Sequence, residues 1–152
     1  MELKKIASFE VNHDILQRGI YTSRIDGDIV TYDIRMKLPN KGDYLQNPAM
    51  HTTEHLIATY VRSSEYSDRI IYFGPMGCRT GFYLLVRDIA PCEVIKLVKN
   101  AFSFLAGFDG EIPGVSSVEC GNYLEHDLES AKKEAAVYLP VIENYTVEQL
   151  NY

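Results

Sequence analysis

Three prolines divide this chain more firmly than any other feature. Proline fixes φ near the helical value but has no backbone N–H, so it suits the first turn of a helix and disrupts a helix interior. Asn47-Pro48 therefore predicts a helix from about Pro48 to about Ser64, with Asn47 as N-cap. Pro91 opens a second helix, along which Val94, Leu97, Val98, Ala101, Phe102 and Leu105 fall at i, i+3, i+4, i+7, i+8 and i+11, one apolar stripe that must be buried. Gly107 ends it. A third helix is expected from about Leu124 to about Leu139, stopped by Pro140.

The segments between the helices are β-rich and short. Ile29 to Lys37 alternates between two faces, as a strand does, and Pro39-Asn40-Lys41-Gly42-Asp43 reads as a turn. Ile70–Phe73 and Phe82–Val86 read as strands flanking Gly74-Pro75-Met76-Gly77-Cys78, and Asp109 to Ser117 as loop. Strands cluster instead of alternating strictly with helices, which favours an α+β fold with a mostly antiparallel sheet and helices on one face. The 152 residues match one ordinary domain, 1–152, able to bury a core without disulfide support.

A formal charge of −6 argues against nucleic acid or an anionic membrane as the main partner. No apolar run approaches the roughly 18 residues of a membrane-spanning helix, and the first residues lack the apolar core of a secretory signal. The expected compartment is the cytoplasm, where the three cysteines stay reduced and free for metal binding or catalysis.

Chemistry concentrates in three places. His51-Thr52-Thr53-Glu54-His55 reads H-x-x-E-H. On a helix the two histidines share a face, with Cβ atoms about 5–6 Å apart, so both rings can reach one metal ion at about 2.0–2.1 Å. Glu54 lies beside them, close enough to handle protons without being a ligand. Gly77-Cys78-Arg79 puts a thiol in a tight turn beside a cation and accessible backbone amides, surroundings that favour the thiolate. The commoner alternative is an inert cysteine. Glu119-Cys120-Gly121 to His126-Asp127 follows a loop and can approach the first helix. Cys120, His126 and Cys78 compete as third ligand, and three ligands with an open position mark a catalytic metal site. A thiolate with two imidazoles suits Zn(II), Fe(II) or Co(II) over Mg(II) or Ca(II). Cys92, at the start of the Pro91 helix, reads as structural.

Together these motifs resemble the S-ribosylhomocysteine lyase (LuxS) family. The resemblance is carried, in order, by Ser8-Phe9-Glu10-Val11-Asn12-His13, Tyr32-Asp33-Ile34-Arg35, His51 to Leu56, Pro75 to Tyr83, and Cys120-Gly121 with His126-Asp127-Leu128. It implies a single-domain α+β sandwich that forms a homodimer with active sites at the interface. It further implies one divalent metal per subunit on His51, His55 and Cys120, usually Fe(II), with Zn(II) or Co(II) able to substitute. Cys78 and Glu54 match the family's acid/base residues, and Ser8, His13 and Arg35 its ribose pocket. The implied reaction cleaves the thioether of S-ribosylhomocysteine to homocysteine and 4,5-dihydroxy-2,3-pentanedione, the autoinducer-2 precursor. Its course is two metal-assisted enolisations that move the carbonyl along the ribose, then a β-elimination. Thr53 stands where the family has Leu, Asn12 where Asp is usual, and Tyr72-Phe73-Gly74 departs from the usual segment at the homocysteine end of the pocket. Two competing readings are an inverzincin-type metallopeptidase, which shares H-x-x-E-H, and a catalytically inactive metal-binding relative.

Overall fold

A computed structural model describes residues 1–152. Four strands, β1 (Gly19–Asp26), β2 (Ile29–Arg35), β3 (Ile70–Pro75) and β4 (Gly81–Arg87), form one sheet in the order β1-β2-β4-β3, with every neighbour antiparallel. Three helices, α1 (Asn47–Arg62), α2 (Pro91–Ala106) and α3 (Leu128–Ile142), complete an α+β fold. The β1–β2 turn needs the left-handed φ of +61° at Gly27, which glycine adopts without a Cβ clash.

The period-two alternation of β2 sorts the sheet into two faces. Ile34 and Phe82 pair across strands, as do Tyr32 and Leu84, and all four are buried among the helices. Asp33, Arg35 and Tyr83 occupy the alternate positions and so belong to the other face, with Tyr21 opposite Asp33 and Tyr72 beside Leu85. The apolar stripe of α2 is buried as its spacing predicts: Val94, Leu97, Val98, Ala101, Phe102 and Leu105 all join one core with β2, β4, α1 and α3. No helix is long and apolar enough to cross a membrane.

The sequence-based boundaries need three corrections. First, α1 starts one residue earlier than expected: Gln46 occupies the cap position, Asn47 is helical, and no side chain caps the end. Second, α3 begins after Asp127, whose carboxylate accepts the Ser130 N–H at 3.0 Å, so Leu124 to Asp127 lie outside the helix. At its other end α3 runs through Pro140 to Ile142. A proline in the last turn sacrifices one hydrogen bond, and packing of Ala135, Tyr138 and Ile142 in the core holds the turn together. Third, β1 was not anticipated. Its alternation is broken by a register shift between Thr22 and Arg24, and its outer half is exposed.

The buried Tyr138 hydroxyl links α3 to the sheet by donating to the Gly19 carbonyl at 2.7 Å. Tyr138→Phe leaves that carbonyl without its partner and is expected to lower the unfolding free energy by about 1–2 kcal/mol, as read by urea denaturation; an unchanged midpoint would show the bond contributes nothing.

Candidate metal centre and the cysteine turn

On α1, Thr52, Thr53, Leu56 and Ile57 face the core, which leaves His51 and His55 on the adjoining, partly exposed face. Each imidazole is oriented from behind by a main-chain oxygen. His51 Nδ1 lies 2.9 Å from the Glu125 carbonyl and His55 Nδ1 2.8 Å from the Pro113 carbonyl. A carbonyl can only accept, so both Nδ1 atoms carry the hydrogen and both Nε2 lone pairs are free for a metal. Gly114, at a φ of +74°, makes the second contact possible, since a Cβ there would press to 3.3 Å from His55 Nδ1.

Cys120 Sγ sits 3.4 Å from His51 Nε2 and 3.8 Å from His55 Nε2. Bonds of about 2.0–2.1 Å to nitrogen and about 2.3 Å to sulfur, at tetrahedral angles, require N···S edges of about 3.5 Å. The three donors therefore fit one tetrahedral ion. The Asn122 N–H points at the same sulfur, 3.4 Å away, a contact that suits a thiolate ligand.

His126 belongs to this cluster, with the ligand atoms of all four residues within 4.8 Å of one another. Its ring stacks on His51 at 4.0 Å, its Nδ1 meets Thr52 Oγ1 at 3.0 Å, and its Nε2 is buried without a partner. Burial and the neighbouring His51 and His55 lower its pKa to about 4, so the ring is neutral near pH 7. Thr52 Oγ1 also accepts the Asp127 N–H at 3.0 Å. Thr52 thus fastens the Cys120–Asp127 loop to α1. Glu54 Oε2 lies 3.7 Å from His55 Nε2, on the metal side of the ring.

Cys78 occupies the β3–β4 hairpin turn, with Arg79 at a left-handed φ of +60°. The residue is exposed, and its sulfur lies 3.0 Å from Thr80 Oγ1. Arg35 is buried beneath, donating to Thr80 Oγ1 at 2.7 Å and to Asp33 Oδ2 at 2.6 Å. Gly81 cannot carry a side chain, because its Cβ would run into the Ile34 carbonyl of the paired strand. Ser8 lies in a 3₁₀ turn at Ala7–Phe9 and lines a cavity of about 470 Å³ with Ile6, Thr31, Tyr72, Tyr83 and Leu85 on the open sheet face. His13 Nδ1 is 2.8 Å from the Val11 carbonyl.

The structure thus brings His51, His55, Cys120 and Glu54 together and adds His126. It gathers Cys78 and Arg35 separately, and no hydrogen bond or ion pair joins them to that cluster. The Glu125 and Pro113 carbonyls and the Thr52 bridge were not anticipated. Main-chain acceptors leave no mark on a sequence, and Thr52 reads only as a polar residue between two histidines. Cys92 is exposed at the start of α2.

Cys120→Ala should strip most bound metal. Thr52→Val, which frees the loop but keeps every donor, should weaken metal affinity about 10-fold. Both are read by competition against a chromophoric chelator, and unchanged affinity in Cys120→Ala would mean the sulfur is no ligand.

The family model described as S-Ribosylhomocysteinase (LuxS) matches residues 6–148. The chain is 49% identical over 157 residues to the S-ribosylhomocysteine lyase of Phocaeicola vulgatus, covering 99% of this chain and 98% of that one. It is 48% identical to the enzyme of that name from Porphyromonas gingivalis, covering 99% of each. It is 43% identical over 156 residues to the one from Clostridium acetobutylicum, again covering 99% of each. A cluster of three histidines and one cysteine able to hold a metal, on a helix–loop frame, and whole-length similarity at this level agree, and the chain belongs to the S-ribosylhomocysteinase (LuxS) family.

Proposed function

We propose that this chain cleaves the thioether of S-ribosylhomocysteine, releasing homocysteine and 4,5-dihydroxy-2,3-pentanedione. The observation that carries the reading is the convergence of the His51 and His55 Nε2 atoms and the Cys120 sulfur on one point beside the Glu54 carboxylate. His51, His55 and Cys120 would hold one divalent ion per subunit, Fe(II) with Zn(II) or Co(II) as substitutes. When bound, the ion supplies Lewis acidity towards the sugar oxygens.

The residues of the chain then divide the proton work. Cys78, as thiolate, takes and returns carbon-bound protons of the ribose, and its exposure leaves the sulfur open to substrate. Glu54 moves protons between hydroxyl oxygens and, in the last step, assists the β-elimination that frees homocysteine. Ser8 and His13 line the ribose pocket. Arg35 is assigned to the same pocket; its buried guanidinium, already donating to Asp33 and Thr80, suits a role underneath Cys78. The peptidase reading needs a distant carboxylate ligand, whereas the donor cluster is His51, His55, Cys120 and His126. The inactive-relative reading expects missing acid/base residues, and Glu54 and Cys78 are both present.

A homodimer with composite active sites fits the separation of the two clusters. The face bearing Ser8 also exposes Ile6, Phe9 and Tyr72, apolar side chains that a second copy can cover. Free cysteines at positions 78, 92 and 120 suit a reducing, cytoplasmic compartment. The products suit both autoinducer-2 synthesis and the return of homocysteine to the activated methyl cycle.

Anaerobically purified, metal-loaded protein given S-ribosylhomocysteine should release thiol in an Ellman assay; peptide hydrolysis without thiol release would overturn the assignment. Cys78→Ala and Glu54→Gln should keep their metal and lose turnover by about 10²–10⁴-fold. Co-expression of these two variants should restore one complete site per mixed dimer, about half of wild-type turnover in that species. No recovery would place Cys78 and Glu54 of each site in the same chain.

A further inference from the structure

We propose that the Thr80 hydroxyl is a positioning group that donates a hydrogen bond to the ionised Cys78 sulfur, aimed by a brace of buried Arg35 and Asp33 and half-exposed Tyr152. The inference rests on the reading of Cys78 as a thiolate base and deepens it.

Thr80 is 2% exposed, and its main-chain oxygen accepts the N–H groups of both Met36 and Lys37, each at 2.9 Å. The residue is therefore pinned to the chain just beyond β2. Arg35 Nη1 donates into Oγ1 at 2.7 Å, and a guanidinium can only donate. The hydroxyl retains one proton of its own, and the sulfur 3.0 Å away is its other hydrogen-bond partner. Once Cys78 ionises, it can only accept, so the proton of Thr80 points at the sulfur.

The brace continues outward. Arg35 Nη2 bonds Asp33 Oδ2 at 2.6 Å, and the same oxygen accepts the Tyr152 hydroxyl at 2.7 Å. The Tyr152 ring stacks on Tyr21, with centroids 4.9 Å apart and planes 13° from parallel. Burial and the Asp33 charge raise the Tyr152 phenol, so it stays protonated and donates. Asp33 is fully buried and its Oδ1 has no partner. Its hold on Arg35 therefore rests on one shared oxygen, and the Tyr152 hydroxyl steadies that oxygen.

A Thr80 that merely shapes the turn would leave the acid–base behaviour of the sulfur unchanged, and alkylation distinguishes the two roles. Metal-loaded protein carrying Cys92→Ser is treated with iodoacetamide across pH 5 to 9, and the Cys78 adduct is quantified by peptide mass. Thr80→Val should move the alkylation profile about one unit towards higher pH, about a 10-fold slower reaction on its rising limb. Thr80→Ser, which keeps the oxygen, should return it to the wild-type position. Tyr152→Phe should move it the same way by a smaller amount, about 3-fold in rate. It removes one oxygen from a half-exposed residue, so it decides the question even if Thr80→Val does not fold. A wild-type profile in folded Thr80→Val, a shifted one in Thr80→Ser, or a wild-type one in Tyr152→Phe would overturn the proposal. Turnover that survives Cys78→Ala would instead remove the catalytic reading of Cys78, leaving the alkylation profile to judge Thr80 by itself.

Discussion

Two imidazole N–H groups, given to main-chain carbonyls at Pro113 and Glu125, tie the long connection between α2 and α3 to α1. Each bond does two things. It closes the loop onto the helix, and it turns the opposite ring nitrogen inward with its lone pair free. The position of Cys120 between these attachment points, the Gly114 approach and the Thr52 bridge all depend on that seating. Without it, His51 and His55 are two polar residues on a partly exposed helix face. With it, they present two of the three donor atoms that converge at the candidate metal site.

The sheet contributes a second device on its other face. A buried ion pair such as Asp33–Arg35 is a weak source of stability, because desolvation of both charges offsets their attraction. Its effect lies in direction. Arg35 is held by a carboxylate that has no exposed surface, and its other terminal nitrogen donates to Thr80. The hairpin turn bearing Cys78 is thereby anchored from beneath while the thiol itself stays exposed. The brace under the turn holds Thr80, whose hydroxyl lies 3.0 Å from the Cys78 sulfur.

Much of this molecule was legible in advance. Pro91 with the apolar stripe from Val94 to Leu105 defined α2 and its buried face, because periodicity of 3.6 is a local property of the chain. The H-x-x-E-H spacing placed both histidines on one helix face for the same reason. Cys120 remained one of three competing ligands by spacing alone, since nothing local states which loop returns to which helix. Even the ends of α3 depended on context: with Asp127 as its cap it starts four residues later than expected, and Pro140 is tolerated inside it because the surrounding core holds the last turn. β1 carries no clear period-two signature in the sequence because a register shift blurs its alternation.

Sequence alone determined which residues could do chemistry here: paired histidines one helical turn apart, a glutamate beside them, a cysteine in a tight turn and another after a loop. Those are facts of residue type and short spacing, and covalent geometry enforces them. Tertiary structure decided which of those residues meet. Contacts between Cys120 and His51, Arg35 and Thr80, or Tyr152 and Asp33 span 69, 45 and 119 positions. Separations of that size are closed by burial of the common core, which pattern in a short window cannot report.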